Sequence, residues 1–480
     1  MITRPAHSAP PPEAWQPARR AAEAMFRPIE RFLHVEAASG ILLLSAAAVA
    51  LVWANSPWAA SYDTLWHTPI RFGAGEWTVE KSLHFWINDL LMAVFFLLVG
   101  LEIKREMVHG ALADRRRAAL PIAAAIGGMA IPAGIYFAFN PSGPGVTGWG
   151  VPMATDIAFA VGVLVLLGKR VHPALRVLLL AFAIIDDIGA ILVIAVFYSG
   201  GFAVQGLAVA VGGFLLTLAM LWVGIRPGLV FAFPFLLMWT GLYQAGIHPT
   251  IAGVVLGLTI PVRAWFGPEG FVNVAQSAIR DFEQRVAEGG DDHDLLEPLG
   301  RLAEARREAV SPGVRGEAAL HPWVAYGIMP LFALANAGVN LGGIEFGAPG
   351  ATTVLLGVTL GLFIGKPLGV LAASWISVRL GLCVLPQGVT WRSMGIVGVT
   401  AGIGFTMAIF ISELAFADPG LLAISKLGVL MATGAAGAVA LIGGRVLLPL
   451  AEPAAGESIG ESNAEIEALW QGELQGTGFP

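Results

Sequence analysis

Val177-Leu178-Leu179-Leu180-Ala181-Phe182-Ala183-Ile184-Ile185-Asp186-Asp187-Ile188-Gly189-Ala190-Ile191-Leu192-Val193-Ile194-Ala195-Val196-Phe197-Tyr198 is the stretch whose reading decides the fold. It is apolar from end to end apart from two adjacent aspartates at its middle. An α-helix needs about 20 mostly apolar residues to cross the hydrocarbon core of a bilayer. Such a run could also be the buried centre of a large soluble domain, but the rest of the chain excludes that. Of 480 residues, 56% are hydrophobic and 13% are charged, against roughly 25% charged in soluble proteins. Mean hydropathy is +0.73. Two or three packed layers could not bury so much apolar surface in one core, and lipid can.

Outward from this stretch, apolar runs bounded by charges, Pro or Gly give twelve candidate spans. They lie near 37–54, 84–108, 119–139, 149–168, 174–198, 203–224, 227–245, 247–262, 323–340, 351–378, 392–414 and 421–448. The basic residues test that count independently. Alternate connections hold Lys104, Arg105, Arg115, Arg116 and Arg117, then Lys169, Arg170 and Arg176, then Arg226, seven arginines in 263–322, and Arg379 and Arg392. Among the intervening connections only the first holds any, Arg71 and Lys81. Lys and Arg collect on the cytoplasmic side, so the pattern predicts an all-α polytopic membrane protein with both termini in the cytoplasm. An odd number of spans would break it.

The polar remainder divides simply. Residues 1–31 lack the short apolar core of a signal peptide and read as a flexible cytoplasmic tail. Residues 451–480 read as an acidic cytoplasmic tail, leaving 32–450 as the membrane domain. The 68–81 connection has β-prone residues around a Gly-Ala-Gly turn and reads as a short external β-hairpin. The 263–322 connection is a cytoplasmic insertion with a helical stretch from Leu295 to Val310. Its Asp291-Asp292-His293 run reads as solvated loop in preference to a metal site. The single cysteine, Cys383, excludes a disulfide framework and a cysteine-rich metal site within the chain. No cofactor is expected, nor a nucleic-acid partner.

Function is read from ionisable residues stranded in apolar spans. Each costs about 2.5–3.5 kcal/mol at mid-membrane on insertion scales and marks an ion or proton path by default. Asp186 and Asp187 are the sharpest case. Like charges this close resist joint ionisation, which suits a site that takes and loses protons. Adjacent helix positions point about 100° apart, so one carboxylate can face an ion cavity and the other a neighbouring helix. The alternative is a hydrogen-bonded pair that only packs helices. In Pro152-Met153-Ala154-Thr155-Asp156, a proline followed by a hydroxyl and a carboxylate predicts a broken helix. Its freed carbonyls and the Thr155 hydroxyl are hard donors for a small cation, and Asp156 can face exposed helix N-termini. A cap on one half-helix is the plainer reading of Asp156. Lys366, too deep to snorkel, calls for a carboxylate partner, and Asp186 and Asp187 are available; a purely structural bridge is the alternative. Gly402 and Gly404 predict a break in the eleventh span, although close helix packing also favours glycine.

At these residues the chain resembles the NhaA family of bacterial Na⁺/H⁺ antiporters. The resemblance covers roughly residues 30–450. It rests on Trp86-Ile87-Asn88-Asp89, Gly100-Leu101-Glu102-Ile103-Lys104-Arg105-Glu106, Ala154-Thr155-Asp156-Ile157-Ala158-Phe159 and Ile184-Ile185-Asp186-Asp187. It continues in His321-Pro322-Trp323-Val324-Ala325-Tyr326, Ala335-Asn336-Ala337-Gly338-Val339, Gly365-Lys366-Pro367-Leu368-Gly369 and Gly402-Ile403-Gly404-Phe405-Thr406-Met407. The ordered set is specific where each motif alone is not.

The resemblance implies twelve transmembrane helices with two inverted three-helix repeats, near 119–198 and 351–448, whose broken helices cross at the midplane. It implies that Asp186 and Asp187 bind Na⁺ and exchange protons, with Asp187 the direct ligand and Lys366 paired to Asp186. Asp156 would balance the helix ends beside Thr155, Glu102 would belong to a pH-sensing region, and Asp89 would be a supporting carboxylate. It further implies electrogenic extrusion of Na⁺, and of Li⁺ too, from a bacterial inner membrane, in pH and Na⁺ homeostasis, by a homodimer joined through the hairpin. The junction after the eighth span, Pro261-Val262-Arg263-Ala264-Trp265, departs from the family, so alkaline activation transfers less readily. Two other classes compete with this reading. A passive cation channel would carry flux without proton coupling. An intramembrane aspartyl protease would need two carboxylates about 3 Å apart sharing a proton, which an adjacent pair plus a lysine does not supply.

Overall fold

The structure, a computed structural model, describes residues 38–449 apart from 75–76, 111 and 226–227. The expected tails, 1–31 and 451–480, lie outside the described residues. The chain opens with α1 (Ala38–Ala54), then turns by 114° into the short α2 (Ala59–His67). Strands β1 (Pro69–Ala74) and β2 (Trp77–Ser82) pair antiparallel, with Pro69 opposite Ser82 and Ala74 opposite Trp77. The hairpin thus forms where the β-prone residues predict it.

Helices α3 (Leu83–His109) and α4 (Arg115–Phe139) follow. A 3₁₀ segment, Val146–Met153, leads through extended residues 154–156 into α5 (Ile157–Leu166). Then come α6 (Pro173–Phe197), α7 (Val204–Trp222), α8 (Ala232–Ala245) and α9 (Ile251–Thr259). A pair outside the apolar pattern, α10 (Gly267–Ala287) and α11 (Leu296–Glu308), precedes α12 (312–336) and α13 (Ala351–Arg379). The last span-forming elements are α14 (Trp391–Ala401), α15 (Phe405–Ala415) and α16 (Pro419–Leu447).

Helix starts follow local chemistry. Pro173, Pro312 and Pro419 occupy first-turn positions, where a missing N–H costs nothing. Before them, His172, Ser311 and Asp418 accept backbone N–H groups at 3.2, 3.3 and 2.8 Å. Two π-helical turns, Val324–Ile328 and Gly361–Gly365, each stand two residues before a proline, Pro330 and Pro367. Proline lacks an N–H and crowds the carbonyl four residues back, which widens the preceding turn.

Among the described residues, nine helices are long and apolar enough to cross a membrane, or eleven when each bent pair counts as one span. The twelve expected spans are therefore not all full-length. The eighth, expected near 247–262, contains α9 with nine residues, about 13 Å at 1.5 Å per residue and too short to cross alone. Pro249 and Pro261 flank it and hold the helix short. The ninth helix begins earlier than 323, because Ser311-Pro312 supplies the start signal. In the 263–322 connection α11 falls within the expected 295–310 stretch, whereas α10 was not anticipated.

Long apolar side chains such as Val196, Phe233, Trp222 and Val446 are exposed, which is the arrangement of a chain solvated by lipid. Inside, α4 and α13 approach backbone to backbone. A Cβ on Gly127 would run into the Gly369 carbonyl, and one on Gly369 into that of Gly127. Gly369→Val should therefore force the helices apart and destabilise the protein by about 1–3 kcal/mol. A fall in Tm in detergent, absent in Gly434→Ala where nothing lies near, is the expected result; an unchanged Tm in Gly369→Val would contradict this packing.

Candidate ion-binding site

The two interrupted spans meet at their breaks. Residues 154–156 run extended beside 402–404, and the Asp156 N–H donates to the Ile403 carbonyl at 2.7 Å. Gly402 and Gly404 have ordinary negative φ values, so what they contribute is closeness. A Cβ on Gly402 would lie 2.7 Å from the Leu362 carbonyl oxygen, and one on Gly404 2.8 Å from that of Ala154.

Two helix N-termini, those of α5 and α15, open into this crossing, and each presents unpaired N–H groups and a partial positive charge. Asp156 serves both. Its Oδ1 accepts the Phe159 N–H at 3.0 Å; its Oδ2 accepts the Thr406 N–H at 3.1 Å and the Thr406 hydroxyl at 2.5 Å. The carboxylate is 1% exposed, and these three donors are what make its burial tolerable. Opposite charge stands at the other helix end. Thr155 donates its hydroxyl to the Ala401 carbonyl, the last of α14, at 2.9 Å, and accepts from the Lys366 ammonium at 2.8 Å. A cation is thereby linked through one hydroxyl to a helix C-terminus, where positive charge is favoured.

Lys366 follows the widened turn of α13 and is wholly buried. Its Nζ donates to Asp186 Oδ2 at 2.6 Å and lies 5.6 Å from the centroid of the Phe182 ring, one turn earlier on α6. Asp186 and Asp187 are 0% and 2% exposed. Asp186 Oδ1 and Asp187 Oδ1 are buried without a donor among the described residues, and Asp187 makes no hydrogen bond or ion pair to any of them. The adjacent pair thus divides as helical geometry requires: one carboxylate holds a lysine and the other keeps its oxygens. Buried carboxylate oxygens without donors suit a small hard cation or a proton. Asp186, Lys366, Thr155 and Asp156 form one connected constellation with Asp187 beside it.

Glu102 and Asp89 stand apart from it on α3. Glu102 has Glu317, Arg105 and Glu106 as charged neighbours. Arg105 pairs with Glu317 from the first turns of α12 and with Glu106 at 3.4 Å. A carboxylate therefore returns to this region from beyond the altered 261–265 junction. Asp89 Oδ1 lies 3.7 Å from His248 Nε2.

Toward the hairpin end, several polar residues escaped the sequence reading. Asn88 and Asn336 bond reciprocally at 2.8 and 3.2 Å, and His84 reaches Asn336 at 2.9 Å. Lys426 pairs with Glu413 at 2.5 Å, and His84 stands 3.7 Å from that carboxylate. Glu413 and Lys426 lie near the ends of the expected 392–414 and 421–448 spans, so the depth criterion that singles out Lys366 passes them over. Thr406 carried no signal either, because a threonine in an apolar run costs little. Thr406→Val should remove a hydrogen bond to a buried carboxylate and cost about 1.5–3 kcal/mol, with Thr406→Ser retaining most of it. Equal Tm values for the Val and Ser variants would contradict this role.

Residues 30–443 match the family model for Na⁺/H⁺ antiporter 1. A Na⁺/H⁺ antiporter NhaA 2 from Sorangium cellulosum is 58% identical, over 95% of this chain and 97% of its own. One of the same name from Myxococcus xanthus is 55% identical over 96% and 98%. A Na⁺/H⁺ antiporter NhaA from Janthinobacterium sp. is 53% identical over 88% and 94%. The solved structure of a sodium proton antiporter from Methanocaldococcus jannaschii gives a TM-score of 0.45 at 11% identity, over 86% of this chain and 92% of that one.

Proposed function

This chain belongs to the Na⁺/H⁺ antiporter 1 family, and on that footing we propose that it exchanges Na⁺ for H⁺ across a bacterial inner membrane, at a site built on Asp186 and Asp187. It is a transporter and not an enzyme. The observation that carries the reading is the division of the buried pair, with Asp186 held by Lys366 at 2.6 Å and Asp187 without a partner among the described residues.

Na⁺ and protons compete for these carboxylates. Na⁺ arriving from the cytoplasm displaces protons at Asp187 and loosens the Asp186–Lys366 pair. The site then faces outward, and reprotonation releases Na⁺. With more than one titrating group exchanged per ion the cycle is electrogenic, driven by the membrane potential at about 2.3 kcal/mol per charge per 100 mV. Asp156 keeps the crossing neutral, Thr155 joins Lys366 to the α14 end, Glu102 reports pH, and Asp89 supports the hairpin-side route. The same oxygens accept Li⁺.

A twelve-span topology with α9 as its short member keeps both termini cytoplasmic and the hairpin outside, in line with the Lys and Arg distribution. The order long helix, broken span, long helix recurs in 115–197 and 351–447, which favours two inverted repeats. The hairpin is the surface through which two copies pair. A protease finds no support, since Asp156 is engaged by helix N-termini and Asp186 by Lys366.

The exchange is tested in everted vesicles with a ΔpH-reporting dye. Added NaCl should collapse ΔpH, KCl should not, and LiCl should act as NaCl does. If NaCl causes no collapse at any pH in well-inserted protein, the reading fails; Na⁺ flux without proton movement would favour a channel.

A further inference from the structure

The connection between α9 and α12 carries its charge unevenly. Glu288, Asp291, Asp292 and Glu297 gather toward its tip, whereas Arg306, Arg307 and Arg315 gather where α11 returns to the start of α12. That base is tied to the spanning part of the chain. The Gly313 N–H donates to the Pro261 carbonyl at 3.0 Å, and the Phe266 N–H to the Glu308 carbonyl at 3.2 Å. The arginines therefore stand near the bilayer surface whatever the tilt of the helical pair. Two apolar side chains beside them, Trp265 and Val310, are exposed.

A cavity of about 640 Å³ opens at this base, lined by Gly300, Ala303, Glu304, Arg306, Arg307 and Arg315. Two of its arginines, Arg307 and Arg315, are oriented from behind by Glu308, which is 2% exposed. Glu308 Oε1 accepts from Arg307 Nε at 3.1 Å and stands 3.8 Å from Arg315 Nη2, while Arg315 also donates to the Arg307 carbonyl. Held through Nε, Arg307 keeps its two Nη groups uncommitted among the described residues. Arg306 is exposed and makes no ion pair or hydrogen bond there. Gly300 and Ala303 leave room in front. Against these three guanidiniums the lining offers one carboxylate, the exposed Glu304. A planar guanidinium, unlike an ammonium, matches two phosphate oxygens at once.

We propose that this cavity binds a phosphate group, from either an anionic phospholipid headgroup or a soluble phosphate. The membrane-proximal base and its exposed apolar flank suit the lipid, because the cytoplasmic leaflet is the anionic one. The proposal concerns binding alone and does not rest on ion exchange.

The test uses the purified full-length protein, incubated in detergent with equal phosphatidylglycerol and phosphatidylcholine, with bound lipid counted by native mass spectrometry. A second arm titrates inorganic phosphate calorimetrically. Wild type should retain phosphatidylglycerol over phosphatidylcholine, and Arg306→Gln/Arg307→Gln about tenfold less of it, the scale expected for losing charge-assisted bonds. Arg280→Gln, which away from the cavity removes the same single charge as Arg306→Gln, should behave as wild type. Arg306→Gln alone, which disturbs no described contact, supplies the comparison if the double variant does not fold. Phosphate binding lost in the variants, with no lipid preference, would assign the site to a soluble phosphate. If the Arg306 and Arg307 variants match wild type in both arms, or Arg280→Gln loses as much as they do, the proposal is overturned.

Discussion

Asp187→Asn is expected to abolish Na⁺-dependent proton movement while leaving the protein inserted and at least as stable as wild type. Asn fills the same volume and offers one oxygen, but it can neither carry charge nor release a proton. Losing a charged partner at a buried site costs about 2–5 kcal/mol of binding, or some thirtyfold to several thousandfold in Na⁺ affinity. The protein itself should not suffer, because Asp187 makes no bond to a described residue and removal of its charge relieves the repulsion on Asp186. Thermal unfolding and vesicle transport, run on the same preparation, separate these two effects. Retained exchange in this variant would sink the assignment of Asp187 as the ligand.

The second large effect concerns the Asp186–Lys366 pair, both members 0% exposed. Removing one partner of a buried pair leaves an uncompensated charge and costs about 3–5 kcal/mol. Lys366→Met and Asp186→Asn should each lower Tm markedly. The double variant should recover most of the loss, because two neutral groups of similar volume replace two charges that needed each other. Lys366 also donates to Thr155, so the recovery should stop short of complete. Losses that simply add in the double variant would show that the two residues are not energetically coupled.

Much of this architecture was legible because a membrane makes sequence patterns expensive to violate. Apolar runs marked helices, prolines and glycines marked the breaks at 154–156 and 402–404, and the β-prone residues marked the hairpin. What stayed hidden has physical reasons. The short α9 sits in a run apolar enough for a full-length span, and only its flanking prolines reveal that the helix itself stops at nine residues. Helix α10 lies outside the apolar spans, where average hydropathy carries no signal; its start at Gly267-Pro268 and the 3–4-residue spacing of Phe271, Ala275, Ala278 and Phe282 were the available clues. The carboxylates and Lys366 were conspicuous because charge in lipid is costly. The role of Thr406 was not, since it depends on a meeting with Asp156 across 250 positions of chain. The same holds for the His84, Asn88 and Asn336 cluster.

The most direct test of the account is whether Na⁺ binding releases protons from the isolated protein. Calorimetric titration of Na⁺ in buffers of different ionisation heat counts the protons displaced per ion, and repeating it across pH follows the competition. The account expects more than one proton released per Na⁺, affinity that rises with pH as protons withdraw, and neither effect in Asp187→Asn. Na⁺ binding at the same affinity across pH, with no proton released, would contradict exchange at a shared site.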